Sequence, residues 1–595
     1  MQSRTPPLLG LLLLSLTGAI SCHWSEKRVA RIATPTAPVS GVVAAVPAEP
    51  MLDLSAPPAI AQDEPELWAA TLSAYARNDD HPLWFEHGLP RPQVQGLRDA
   101  IEHIAGDGMD PSRYQLSAVR KLAVLADDGQ PLGIAELTDA DLSLSLAAIK
   151  LARDLQQGIM LPPEQDRRWA KSDPIDLGAR VFQSARSADV ESALRTLTPQ
   201  HPQYQLLRAA LTDYRALARR TVWPLVPESA RVKPGKSASE IPAIRARLTA
   251  SDHLQATVSV PPAVQAVDTA PATPVSVPVT TAVAIEAPSA RAESSDVLDE
   301  ELMDAIKQFQ REHGLNEDGI PGTETLAAMN VPLSERVRQL ELNLERWRWL
   351  PEQLGETHVL VNVPTFELTA VEEGQTALKM RVVTGTQRTP TPIFHSAIET
   401  VVLSPYWNVP RSILQGEVRP GLAKDPGYLR RKNMEVLRNG KLVDLGSVSL
   451  KDPSVRVRQR PGPGNSLGNV KFLFPNEFNV YLHDTPSDSL FARAERSLSH
   501  GCVRLEKPFE MARWVLQHDP EWTDENIQAA MDSGRERHVR LATQIPVYIV
   551  YQTAWVNDDG MLVFAKDLYG HDSRQAQTLP VATPGTMYAQ EVVEN

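Results

Sequence analysis

Side chains able to do covalent chemistry crowd into one short stretch of this 595-residue chain. They fall in the strings Tyr481-Leu482-His483-Asp484-Thr485 and Ser499-His500-Gly501-Cys502-Val503-Arg504-Leu505. A cysteine thiol titrates near pH ~8.5, so at neutral pH only a few per cent is thiolate, and a nucleophilic role calls for a nearby imidazole or positive charge. His483 and His500 are both candidates for that imidazole. Gly501 lets a substrate approach the backbone closely, and the amides around Gly501 and Cys502 can stabilise the oxyanion formed when a carbonyl is attacked. Arg504 can hold a carboxylate through two parallel hydrogen bonds. Taken singly, each residue has a plainer reading: a buried small hydrophobe for Cys502, a satisfied structural histidine for His483, an ion-pair partner for Arg504. A zinc site of His483, His500 and Cys502 does not have the usual ligand spacing and lacks an evident fourth ligand, so no metal or other cofactor is expected.

Only one other cysteine, Cys22, is present. A disulfide between them would tie the extreme N-terminus to the far end of the chain, and is disfavoured because their Cα atoms would have to lie within about 7 Å. The N-terminus itself looks like an export signal, with Arg4, then the apolar run Leu8 to Ile20, then small residues. Gly18-Ala19-Ile20-Ser21-Cys22 fits two outcomes equally: a lipobox that leaves a lipidated Cys22 as a membrane anchor, or ordinary cleavage after Ser21. Either places the protein in the periplasm or cell envelope, where an unpaired thiol needs a use. The net charge of −13 excludes bulk nucleic-acid binding, which relies on clustered cations.

The elements that must position these residues follow from periodicity and punctuation. After the signal (1–22), residues 23–61 are an Ala/Pro/Val-rich tether. Residues 62–230 show apolar faces at helical spacing, such as Leu67, Thr71, Leu72 and Tyr75, and predict a helical scaffold. A small helical domain spans 236–332, interrupted by a Pro-rich insertion at 251–295, and a linking helix spans 333–356. Alternation then takes over in Val359–Val363, Phe366–Val371 and Leu378–Val383, announcing a β-rich domain over 357–555, followed by a tail at 556–595. Between Arg411 and Lys471 thirteen Lys or Arg face five Asp or Glu, a local balance of +8 in an acidic protein. This region (cap, about 411–468) contains Arg456, Arg458 and Arg460 and ends in the hinge-like Pro461-Gly462-Pro463-Gly464. It is expected to attract carboxylate-bearing substrates to the cysteine.

Two resemblances give these segments a family. Ala305-Ile306-Lys307-Gln308-Phe309-Gln310-Arg311-Glu312-His313-Gly314-Leu315 with Asp318-Gly319-Ile320-Pro321-Gly322 resembles the small helical peptidoglycan-binding domain, whose first helix would be Ile241–Leu248, split off by the insertion. The histidine followed by Ser-His-Gly-Cys-x-Arg resembles the YkuD-type L,D-transpeptidase catalytic domain. The likeness extends through Val383-Thr384-Gly385, Thr391-Pro392 and Tyr406-Trp407-Asn408-Val409-Pro410, and the tail is similar to that of the larger YcbB-like subgroup. The implied fold is multidomain: helical N-terminal scaffold, peptidoglycan-binding domain and β-rich catalytic domain with an inserted capping subdomain.

By position the resemblance implies Cys502 as nucleophile, His483 as proton acceptor and donor, and the Asp484 backbone carbonyl as the group orienting that imidazole. Gly501 would lie at the oxyanion, and Ser499, His500, Arg504, Tyr481, Trp407 and Asn408 at the substrate. The implied reaction is acyl transfer from a tetrapeptide stem of peptidoglycan through a Cys502 thioester to a diaminopimelate amine of a second stem, with release of D-Ala. Carbapenems would acylate the same thiol. An L,D-carboxypeptidase using water as acceptor, attachment of a protein, and a wall-binding protein without catalysis remain open.

Overall fold

The computed structural model describes residues 49–160, 175–228, 232–252 and 296–579. The expected leader, Cys22, most of the tether, nearly all of the Pro-rich insertion and the end of the tail lie outside the described residues.

Helices α1 (Pro65–Ala76), α2 (Gln93–His103), α3 (Leu116–Asp128), α4 (Ile134–Gln157), α5 (Leu177–Ala185) and α6 (Val190–Arg195) build the N-terminal region. Proline at the first position of α1 costs no helical hydrogen bond, and Leu67, Thr71, Ala74 and Tyr75 point to one face. The central α4 is buried over most of its circumference. Its buried Asp141 is matched by Tyr75 Oη at 2.6 Å and by the Leu83 and Trp84 amides at 3.0 and 2.9 Å, which satisfies a carboxylate that would otherwise be costly there. Next, α7 (Pro202–Arg220) turns its Tyr204, Leu207 and Leu211 away into a different core.

A small domain follows. Helices α8 (Ile241–Asp252), α9 (Glu300–Glu312) and α10 (Thr323–Met329) share one hydrophobic cluster containing Ile241, Ile244, Leu248, Leu302, Ile306, Phe309, Leu326 and Met329. The first helix therefore packs with the other two across the long intervening segment. Asp299 caps α9 by accepting from Leu302 N at 2.9 Å. The Gln310 side chain organises the turn after α9, donating to Asp318 Oδ1 and accepting from Gly319 N, both at 2.9 Å.

Helix α11 (Leu333–Trp349) departs from the simple one-faced linker that its apolar spacing suggests. Its apolar stripe Leu340, Leu344 and Trp347 joins the same core as α7 and the β-domain, while its charged face is buried as well. Arg348 pairs with Glu345 at 2.8 Å and donates to the Asp107 carbonyl; Glu341 pairs with Arg215 at 2.7 Å; Arg346 pairs with Asp572 at 2.5 Å. A helix polar on one side can be fully enclosed only when neighbours bring complementary groups, and here the helical region and the C-terminal segment do so.

The β-domain contains β1 (His358–Asn362), β2 (Glu367–Glu372), β3 (Gln375–Gly385), β4 (Phe394–Leu403), β5 (Trp407–Asn408), β6 (Met434–Arg438), β7 (Lys441–Val443) and β8 (Val455–Gln459). It continues with β9 (Val470–Leu473), β10 (Leu482–His483), β11 (Ser497–Ser499), β12 (Val503–Leu505), α12 (Pro508–Leu516), α13 (Asp524–Asp532) and β13 (Arg537–Val550). The main sheet has nine strands in the order β11-β3-β12-β10-β9-β4-β13-β1-β2, and β2 also pairs with β3, so the sheet closes on itself. Strands β5-β8-β6-β7 form a separate four-stranded sheet. This cap has its own small core of Leu414, Val418, Leu429, Val436, Val455 and Val457. Across the boundary drawn between the β-domain and the tail, β14 (Ala554–Val556) and β15 (Leu562–Phe564) pair as a hairpin, and a short helix spans His571–Gln575.

Candidate active site

Strands β10 and β12 lie side by side in parallel, with Leu482 opposite Val503 and His483 opposite Arg504. Cys502 sits immediately before β12, on the loop that arrives from β11. Parallel pairing of two such short strands, together with β3 on the other side of β12, sets where imidazole, thiol and guanidinium project.

The loop itself is pinned from several directions. Ser499 Oγ donates to the Cys502 carbonyl at 2.5 Å and accepts from Gly501 N at 3.1 Å. The Ser499 carbonyl accepts from Thr386 N at 3.0 Å and Thr389 Oγ1 at 3.1 Å. Thr391, fully buried, donates to the Gly501 carbonyl and accepts from Gly385 N, both at 2.8 Å. Tyr569 from the C-terminal segment closes the arrangement by donating to the Gly385 carbonyl at 2.6 Å. Gly501 has φ +109°, a region side chains avoid, so glycine is needed here for the turn. Gly385 is required for space: a Cβ there would stand 2.1 Å from the Thr389 carbonyl oxygen.

His483 is buried, and its Nδ1 donates to the Asp484 carbonyl at 2.5 Å. That bond fixes the tautomer with the lone pair on Nε2. Burial, reinforced by the charges of Arg504 and Lys471, pulls the imidazole down to about 3, so it is neutral at physiological pH. Burial likewise pushes the Cys502 thiol up, against hydrogen bonds from Tyr481 and the positive charge of Arg504. The resting site thus holds a neutral thiol beside a neutral imidazole. The sulfur also donates to the Asn479 carbonyl at 3.7 Å, and among the described residues no hydrogen bond joins it to His483. Tyr481 packs edge-on against the His483 ring at 5.6 Å. The Asp484 carboxylate faces away from this pair, accepting from Asn469 and Thr485 amides at 2.7 and 2.6 Å.

The remaining expected site residues separate. Arg504 makes no side-chain hydrogen bond among the described residues, and its buried Nε has no partner. His500 turns outward, with Nε2 at 3.0 Å from Glu417 of the cap, on the π-helical turn Leu414–Val418. Trp407 and Asn408 belong to the cap sheet, opposite Gln459 and Arg458, and make no hydrogen bond or ion pair with Cys502, His483 or Arg504. The cap cations need a correction too. Arg458 and Arg460 both pair with the buried carboxylate of Glu435, Arg460 at 2.6 Å, and Arg458 also stacks over Tyr406 at 4.0 Å. Of the three arginines expected to attract substrate, two are thereby committed to holding the cap together; counting charges along a sequence cannot tell a paired cation from a free one. Thr391, Tyr569, Asn479 and Glu417 were not singled out as site residues. Thr391 carried a signal in the Thr-Pro pair of the family pattern, and Tyr569 in the Tyr569-Gly570-His571-Asp572 string of the tail.

Residues 356–547 match the L,D-transpeptidase catalytic domain family, YkuD. The chain carries an L,D-transpeptidase catalytic domain. Residues 69–211 match the family described as "Scaffold domain", and residues 290–329 the "Putative peptidoglycan binding domain". The three matches fall respectively on the β-domain, the helical region and the small domain of α9 and α10. A relative from Haemophilus influenzae named "Putative L,D-transpeptidase" is 32% identical over 286 residues, 47% of this chain. The chain spans 57% of that relative's length. Among solved structures, an L,D-transpeptidase from Mycobacterium smegmatis is 14% identical, covers 33% of this chain and 58% of its own, and overlays with a TM-score of 0.16. The L,D-transpeptidase from Xylanimonas cellulosilytica is 13% identical, covers 55% of this chain and 98% of its own, and has a TM-score of 0.16.

Proposed function

We propose that the protein is an exported L,D-transpeptidase that forms 3→3 cross-links in peptidoglycan through a thioester on Cys502. The observation that carries this reading is the placement of the neutral imidazole on β10 and of the thiol at the entry to the adjoining β12, on a pinned, glycine-containing loop. His483 Nε2, left free by the Nδ1 bond to Asp484, takes the thiol proton as sulfur attacks the carbonyl of the third residue of a donor tetrapeptide. Amides around Gly501 and Cys502 stabilise the oxyanion. Collapse breaks the peptide bond, and His483 returns the proton to the departing D-Ala amine. The side-chain amine of diaminopimelate on a second stem then attacks the thioester, loses a proton to His483 and expels the thiolate, which is reprotonated. The energy of the cleaved peptide bond is kept in the thioester, so no nucleotide is needed. The unpartnered donors of Arg504 suit a stem carboxylate. Export by the N-terminal segment, with or without a lipid on Cys22, delivers the enzyme to the envelope, and the peptidoglycan-binding domain holds it on the wall. No cofactor or metal is required by these steps.

The test is incubation of wild type and Cys502→Ala with disaccharide tetrapeptides, read by mass spectrometry. Dimers lighter by one D-Ala, formed by wild type alone, are expected. Tripeptides without dimers would make the enzyme an L,D-carboxypeptidase. Wall binding with neither product, and no covalent carbapenem adduct, would reduce it to a binding protein.

A further inference from the structure

The row of paired residues that runs from Arg504 to His483 continues one strand further. On its other side β10 pairs with β9, and there His483 stands opposite Lys471. Paired residues on neighbouring strands share a face of the sheet, so Arg504, His483 and Lys471 form one line across β12, β10 and β9. The residues that alternate with them settle which face this is: Val470, Phe472, Leu482 and Val503 are all fully buried in the main core. Lys471 therefore shares the face of the imidazole, away from that core. With strands about 4.8 Å apart, the Arg504 and Lys471 backbones are separated by about 10 Å, with His483 between them. Cys502, two residues before Arg504, belongs to the β12 end of this line.

Lys471 is half-buried and makes no hydrogen bond or ion pair among the described residues. Burial pulls its ammonium below the ordinary lysine range, and the charge of Glu536 acts in the other direction without forming an ion pair with it. Glu536 already accepts from the Tyr406 amide at 2.8 Å and stands 3.4 Å from His538 Nε2. A partly desolvated ammonium with no anion in contact is costly, and a carboxylate removes that cost.

The order of the strands says which carboxylate. In the acyl transfer proposed at Cys502, on which the role of Lys471 rests, the sulfur attacks a carbonyl and His483 returns a proton to the departing amine. The retained acyl part then lies with the sulfur at the β12 side, and the departing amine lies at the imidazole on β10. In D-Ala a single carbon joins that amine to the carboxylate, which points onward to β9. We propose that Lys471 binds the terminal carboxylate of the donor stem and is a specificity-determining residue for a free C-terminal D-Ala. Arg504, at the other end of the line, is left for a carboxylate on the retained part of the stem. A fifth residue on the stem would replace the terminal carboxylate by a neutral amide and carry the charge about 3.5 Å further along the chain, out of register with Lys471.

Tetrapeptide stems ending in free D-Ala and in D-Ala amide isolate this one charge. With the full chain, release of the last residue is followed by mass spectrometry, and binding of both peptides to Cys502→Ala by calorimetry. Wild type should show a KM for the acid at least about tenfold below that for the amide, the scale of one hydrogen bond to a charged group, with kcat little changed. Lys471→Met should raise the KM of the acid to that of the amide. Lys471→Arg keeps the charge and should retain most of the preference, and Arg504→Met should weaken both peptides together. A lysine that only supports the sheet would shift acid and amide alike. The wild-type ratio needs no variant, and Lys471→Gln repeats the test should the methionine variant fold poorly. Lys471 is excluded from this role if wild type treats acid and amide equally, if the preference survives Lys471→Met, or if it vanishes in Arg504→Met. Failure of wild type to turn over either peptide would instead refute the acyl-transfer reading, and the acid-to-amide ratio of binding to Cys502→Ala, with and without Lys471→Met, then decides the lysine on the same criteria. Binding of neither peptide would overturn both.

Discussion

Thr391→Val probes the support of the candidate oxyanion loop without touching a group proposed to react. Valine keeps the volume of threonine but replaces the hydroxyl, so two buried bonds disappear together: the one to the Gly501 carbonyl and the one from the Gly385 amide, each 2.8 Å. A buried backbone group left without a partner costs about 1–3 kcal/mol, and partial relaxation of the loop should hold the total near ~2–4 kcal/mol. For a domain of this size that corresponds to a fall in melting temperature of at least about 4–8 °C. The kinetic effect follows from the same displacement. One oxyanion donor is worth about 100- to 1000-fold in rate, so an imperfectly aimed Gly501–Cys502 segment should slow acylation at least tenfold. Stopped-flow acylation by a carbapenem, with the adduct on Cys502 verified by mass, measures this directly. Thr391→Ser, which retains the hydroxyl, should recover most of both losses. A valine variant that acylates at the wild-type rate would refute the argument that Thr391 holds the loop in its reactive geometry.

Three further outcomes follow from the same coordinates. Because burial raises the Cys502 thiol and holds His483 near 3, alkylation of Cys502 by iodoacetamide should climb with pH through 9; a plateau between pH 5 and 8 would instead reveal a resting thiolate–imidazolium pair. Burial acts to raise Glu435, but hydrogen bonds from Arg460 and Arg458 outweigh it and leave its carboxyl below the usual range. A depressed carboxyl contributes stability above its unfolded value of about 4.3 and loses it as pH falls through the lower folded one, so cap strands β6 and β8 should lose hydrogen-exchange protection in acid. Glu435→Gln should remove that pH dependence, and an acid transition of the cap that persists in the variant would contradict the assignment. Arg348→Met leaves Glu345 buried and uncompensated and should cost about 3–5 kcal/mol in denaturant unfolding, with a loss under ~1 kcal/mol showing that the pair is not isolated from water.

Much of the architecture is written locally. Proline at the start of α1 and α7, Asp299 before α9, and the alternation of Phe366–Val371 are short-range signals that need no tertiary context. The site is legible for the same reason, since Ser499, His500, Gly501, Cys502 and Arg504 are neighbours in sequence and His483 is near. Partnerships at long range are not. Thr391 reaches Gly501 across 110 residues and Tyr569 reaches Gly385 across 184, and neither contact leaves a periodicity to read.

The sequence alone therefore determined which side chains are candidates for the chemistry and the types of the elements that carry them, because both depend on residues close together in the chain. Tertiary structure alone decided how those groups are charged and aimed. Closure of the sheet sets His483 opposite Arg504, buries the imidazole and partly encloses the thiol, pairing with Glu435 commits two cap arginines, and neighbours on both sides make the charged face of α11 interior. Each of these outcomes depends on desolvation and on partners brought together only when distant strands and helices meet.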